Sequence, residues 1–90
     1  MKYIIGGNWK MNGLRRSGIR FLEEMEQLGG SNVAPDVLLF PPFTIISDMA
    51  ERLEGTGIEL GGQDLFYHEK GAFTGEVSPA MLRDAGATWF

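Results

Sequence analysis

The sequence predicts an α/β fold carried by a parallel sheet, and three observations support that prediction. Apolar runs of strand length alternate with segments of helical periodicity, in the order β-α-β-α-β-α-β. The second apolar run, Val37-Leu38-Leu39-Phe40, is continuous rather than alternating, as a strand buried on both faces requires. Glycine or proline punctuates the boundaries between the two kinds of segment. This order calls for right-handed crossovers. Periodicity is compatible with a closed barrel or an open flavodoxin-like sheet, and on these grounds alone the open sheet is the choice.

Tyr3-Ile4-Ile5 reads as a short buried strand, and Asn12-Gly13 is a turn that ends the segment. Were the chain extended through residues 8–10, Asn8 and Lys10 would share one face and Trp9 would point the other way, an aromatic wedge behind two polar groups. Leu14, Phe21, Leu22, Met25 and Leu28 then recur on one face of a helix ending near Gly29-Gly30. Arg15, Arg16, Glu23, Glu24 and Glu26 lie mainly off that face and read as solvated surface.

Residues 31–35 form a connector, and Pro35 and Pro41 bound the second strand. A second helix over 44–53 turns Ile45, Ile46, Met49 and Leu53 inward and Asp48, Glu51 and Arg52 outward, and Gly55 and Gly57 end it. A weaker third strand follows over 58–63, where Gly61 and Gly62 allow close helix packing or a bulge. Residues 64–77 carry aromatics, charges and glycines without period, and connections this long usually have a function. Ser78-Pro79 is a helix start, Met81, Leu82 and Ala85 give its apolar face, and Gly86 stops it. Thr88-Trp89-Phe90 begins a fourth strand. No linker or internal repeat beyond the βα unit divides the 90 residues, which read as part of one domain.

Composition narrows the function. With 43% hydrophobic residues the chain is globular material, not disordered. Twelve acidic against eight scattered basic residues, net charge −4, make nucleic acid and anionic membranes poor partners. There is no cysteine for disulfide or thiolate chemistry, and one histidine leaves little for a transition-metal site. No run approaches the roughly 20 apolar residues of a membrane span, so a cytoplasmic protein is the default expectation.

In parallel α/β folds ligands sit at the carboxyl ends of strands, which here means Asn8 and Lys10, residues 41–43, and Gln63 with Asp64. On the residues alone, Asn8 reads as a turn cap, and Lys10 is balanced between a solvated lysine and a ligand contact. Gly13 and Gly18 have phosphate-loop spacing, but Ile19-Arg20 follows where lysine and a hydroxyl residue are needed. Glu51 and Glu54 read as solvent decoration on a helix, and a lone loop histidine assembles no hydrolytic triad.

Gly6-Gly7-Asn8-Trp9-Lys10-Met11-Asn12-Gly13 resembles the opening signature of the triosephosphate isomerases. Pro41-Pro42-Phe43 is similar to the turn after that family's second strand. Gly62-Gln63-Asp64, followed by Gly71-Ala72-Phe73-Thr74-Gly75-Glu76-Val77-Ser78, is similar to its third strand and long third loop. The resemblance is collinear from Met1 to Phe90 and corresponds to roughly the first third of a barrel of about 250 residues.

The resemblance implies a partial (β/α)8 barrel, truncated within its fourth strand. It implies interconversion of dihydroxyacetone phosphate and D-glyceraldehyde 3-phosphate in glycolysis and gluconeogenesis, with no cofactor or metal and a homodimer when intact. Lys10 would bring catalytic positive charge toward the substrate phosphate, and Asn8 would hydrogen-bond the substrate. Thr74, on a loop inserted beside the partner's site, would approach the counterpart of Asn8, with Gln63, Phe73, Gly75 and Glu76 at the same interface. The family's electrophilic histidine and glutamate base would lie beyond Phe90, leaving this stretch inactive alone, and His68 is not a substitute. Asp64 stands where many relatives have asparagine, and the usual cysteine near that interface is absent. The alternatives are a truncated half-barrel acting as a binding or assembly module, and a different phosphate-binding α/β protein.

Overall fold

The computed structural model describes residues 4–27 and 36–89. They run β1 (Ile4–Asn8), α1 (Arg15–Gln27), β2 (Asp36–Phe40), α2 (Phe43–Leu53), β3 (Glu59–Leu60) and α3 (Pro79–Ala85). The strands form one open sheet in the order β1-β2-β3, with both pairings parallel. Ile4 lies opposite Asp36 and Asn8 opposite Phe40, so β1 and β2 end level with each other. Beyond β3, Gly61 makes a parallel bridge to Trp89, at the expected start of the fourth strand. Tyr3, Leu28, the Gly29-Gly30 stop, the 31–35 connector and Phe90 lie outside the described residues.

The core forms between the sheet and α2. Leu39 and Leu60 come from the strands, and Ile45, Ile46, Met49 and Leu53 come from α2, as its periodicity predicts. Leu22 of α1, Leu82 of α3 and Ala87 complete the cluster. Burying each large aliphatic side chain contributes about 1.5–3 kcal/mol, so α2, with four of them, is the main anchor of these layers. Leu38 is 7% exposed and Leu39 5%, so the continuous apolar run of β2 is indeed covered on both faces.

Close approaches explain the glycines in and after β3. A Cβ on Gly61 would overlap the edge of the Phe40 ring, and one on Gly62 would sit 2.6 Å from Leu82 Cδ2. Gly62 is therefore the point where α3 packs onto the strand, one of the two roles the sequence allowed. At α3 itself, Ser78 Oγ accepts the Met81 N–H at 3.2 Å. Gly86, at φ 111°, returns its N–H to the Leu82 and Arg83 carbonyls, a left-handed stop that glycine adopts without steric cost.

Four expectations need correction. β1 is not buried: Ile4 and Ile5 are 56% and 54% exposed, because among the described elements β1 packs only against β2 and no helix lies over it. Leu14 is not on the inner face of α1; it precedes the helix and is 73% exposed. Gly18 takes the inner position instead, since a Cβ there would come within 3.3 Å of Ile45 Cδ1 and Met49 Sδ, and Leu22 follows it. The third strand is regular only over Glu59–Leu60. Its ladder continues through the Gly61 N–H to the Leu39 carbonyl at 2.8 Å, and Gly62 then turns to Trp89. Met81 is 47% exposed, because the seven residues of α3 present only Leu82 fully to the core.

Candidate functional site

The strand ends meet where β1, β2 and the residues after β3 finish together. Trp9 N–H donates to the Phe40 carbonyl at 3.1 Å, carrying the β1–β2 ladder one residue past the regular strand. The Trp9 ring turns toward α1 and meets Phe21 edge-on, with centroids 5.0 Å apart. Asn12 Nδ2 donates to the Trp9 carbonyl at 2.9 Å and tightens the turn. Ser17 Oγ accepts the Leu14 N–H at 2.8 Å, so the third residue of α1 caps the residue before it.

Lys10 has φ 56°, the one positive value among the described non-glycine residues. This left-handed backbone costs an ordinary residue roughly 1–2 kcal/mol and persists only where the surroundings hold it. The extended path assumed from the sequence therefore ends at Asn8, and alternation does not relate Asn8 to Lys10. A hydrogen bond does: Asn8 Oδ1 accepts the Lys10 N–H at 2.9 Å. From the other side Gln63 Nε2 donates to the Lys10 carbonyl at 2.9 Å and to the Phe40 carbonyl at 2.7 Å. Gln63 is thus an exposed residue that ties the first loop to the end of β2.

Lys10 lines an open cleft of about 550 Å³ with Asn12, Thr44, Gln63, Asp64 and Gly75. That volume falls within the 300–1,000 Å³ usual for small-molecule sites. Asn8 is not among the lining residues, its carboxamide oxygen being engaged with the Lys10 backbone. A larger open hollow of about 910 Å³ lies on the outer flank of α1 and α2, among Arg15, Arg16, Arg20 and Asp48. It runs along the helices, shares Leu14 and Thr44 with the cleft, and holds Arg15 3.7 Å from Asp48.

Residues 64–77 have no helix or strand, yet they are organised. The Phe66 N–H donates to the Val77 carbonyl at 2.8 Å and closes the neck, and Glu76 N–H to Phe73 O at 3.0 Å closes the tip. Between them Phe66 and Phe73 lie 4.4 Å apart, centroid to centroid, with His68 stacked at 4.9 Å on Phe73. His68 is exposed and held by ring contacts within the loop, in keeping with its reading as a loop histidine. The Asp64 carboxylate beside Glu76 pushes the Glu76 carboxyl above its ordinary value, with a smaller contribution from desolvation. Thr74 and Gly75 form the turn at the loop tip, Gly75 at φ 87°.

A family model described as triosephosphate isomerase matches residues 3–90. The chain belongs to the triosephosphate isomerase family. It is 38% identical over 86 residues to the triosephosphate isomerase of Acidithiobacillus ferrooxidans, covering 96% of this chain and 34% of that protein. To the triosephosphate isomerase of Dinoroseobacter shibae it is 47% identical over 88 residues, covering 96% and 34%. The crystal structure of triosephosphate isomerase from Bartonella henselae superposes with a TM-score of 0.83 at 36% identity, covering 97% of this chain and 35% of that one. The chain thus spans about a third of the length of the triosephosphate isomerases it matches. The parallel β1-β2-β3 sheet with its helices is a partial (β/α)8 barrel of that family.

Sequence reasoning located the strand ends and Lys10, and it missed three things there. It missed the left-handed backbone of Lys10, the double hydrogen bond of Gln63, and the Asp64–Glu76 pair. A non-glycine residue at positive φ leaves no trace in hydrophobic periodicity. The carboxylates are twelve positions apart in a segment without period, so only the closed loop neck brings them together.

Proposed function

We propose that this chain is the N-terminal part of a triosephosphate isomerase and belongs to one (β/α)8 domain. The whole enzyme interconverts dihydroxyacetone phosphate and D-glyceraldehyde 3-phosphate in glycolysis and gluconeogenesis, in the cytoplasm, without cofactor or metal. The observation that carries this reading is Lys10, among the described residues the one lysine on the wall of the strand-end cleft, in a chain matched by the family along residues 3–90. At about 4 Å and an effective dielectric near 20, an ammonium and one phosphate charge attract by roughly 4 kcal/mol. Enzymes lower barriers by about 8 kcal/mol or more. Lys10 is therefore suited to hold and bias a phosphorylated triose, and another group must move the proton.

Proton transfer between adjacent carbons of a hydroxyketone and a hydroxyaldehyde needs a carboxylate base and a neutral electrophile at the carbonyl, a division of labour for which triosephosphate isomerase is itself a standard illustration. The one histidine of these 90 residues is engaged in the aromatic cluster of loop 64–77. We assign base and electrophile to the barrel beyond residue 90, and the 90 residues alone are expected to show no turnover. Asn8 contacts substrate in this reading, and its bond to the Lys10 N–H sets the place from which it does so. Loop 64–77 meets a second subunit through Phe73, Thr74, Gly75 and Glu76, with Gln63 at its base. Exposed Leu65, Tyr67 and Phe73 support that docking role.

Phosphoglycolate, a mimic of the enediolate, tests the site. In the natural chain at full length it should perturb the fluorescence of Trp9, and Lys10→Met should weaken binding at least a hundredfold. Unchanged affinity in Lys10→Met would remove Lys10 from the site.

A second reading rests on β1, whose exposed Ile4 and Ile5 edge an open sheet, and unprotected edges recruit strands. The 90-residue stretch would then act as an assembly module. Sedimentation at rising concentration separates the two, since a strictly monomeric species rules assembly out.

A further inference from the structure

Lys10 adopts a backbone conformation that disfavours any residue with a Cβ, and two side chains hold it there from opposite ends. Asn8 Oδ1 takes the amide proton at 2.9 Å, and Gln63 Nε2 donates to the carbonyl at 2.9 Å, from 53 residues further along the chain. The second bond from that nitrogen, 2.7 Å to the Phe40 carbonyl, ties the same carboxamide to the last residue of β2. An amide nitrogen has two hydrogens, so both donors are committed. Exchanging nitrogen and oxygen would aim an acceptor at two carbonyl oxygens, so the orientation of the group follows from its partners.

We propose that Gln63 is a positioning residue for Lys10: its carboxamide locks the left-handed turn at the strand end and thereby sets the direction in which the ammonium-bearing side chain enters the cleft. This rests on the phosphate-facing role proposed for Lys10. A simple tie between β2 and the first loop would have the same two bonds, yet it would be indifferent to the conformation of residue 10. Glycine adopts positive φ without steric cost, so Lys10→Gly makes a conformational lock redundant and leaves a simple tie untouched.

The test is a double-mutant cycle in the natural chain at full length, with Gln63→Met, Lys10→Gly and the pair, read by urea unfolding. Gln63→Met should raise the unfolding constant about tenfold in the presence of Lys10, and no more than about threefold in the Lys10→Gly background. Equal losses in both backgrounds overturn the proposal. If Gln63→Met fails to fold, recovery of folding in the double variant supports the lock, and failure in both overturns it. Among folded variants, Gln63→Met should weaken phosphoglycolate about tenfold, and undiminished affinity overturns the positioning role. Lys10→Met with undiminished affinity would instead defeat the proposed phosphate contact, while the cycle still decides the lock by itself.

Discussion

Asp64 and Glu76 show how a single side chain can alter the third loop. Their carboxylates stand on the two legs of a neck closed by the Phe66–Val77 bond, and Asp64 raises the pKa of Glu76 above its ordinary 4.5. The folded chain therefore holds the Glu76 proton to higher pH than the unfolded chain does. Below about pH 4.5 this favourable contribution is complete, and it is lost as pH rises through the raised value. Asp64→Asn should return Glu76 toward 4.5 and flatten the pH dependence of loop protection above that point. Carboxyl NMR titration of parent and variant checks this; an unmoved Glu76 would show that Asp64 is not the cause. At this scale the sequence showed which charges exist, while their pairing came only with the closed neck.

α2 and α3 were the most legible elements, and for different reasons. In α2 the inward positions Ile45, Ile46, Met49 and Leu53 follow the helical period without a gap, and all four are buried. Met49→Ala should cost about 2–5 kcal/mol in urea denaturation, because Met49 has no exposed surface and its sulfur packs against Gly18 of α1. In α3 the cap residues carried the reading: Ser78→Ala should cost roughly 1 kcal/mol, the loss of the Met81 N–H acceptor. α1 was less legible, since its closest approach to α2 is made by Gly18, a residue that apolar periodicity does not count. β3 was shorter than its apolar pattern because Gly61 and Gly62 divide their bonds between Leu39 and Trp89.

Across the whole molecule, the radius of gyration is 13.5 Å with extents of 43 × 33 × 21 Å, against about 12 Å for a self-contained domain of this length. The excess fits an open sheet with β1 uncovered at one edge. A lysine on that edge should block strand recruitment, so Ile5→Lys is expected to reduce concentration-dependent association of the 90-residue chain in sedimentation. Association unchanged by the substitution would place the contact elsewhere. By itself the sequence determined the order of elements, the parallel sheet, the family and the lysine at the strand end, because periodicity, caps and a collinear set of motifs are local signals. Only the tertiary structure decided that Ile4 and Ile5 are exposed, that Lys10 lies in left-handed backbone, and that Gln63 holds it. Each of those depends on a neighbour dozens of residues away in the chain, or on the lack of one among the described elements, and neighbours of that kind are brought together by folding alone.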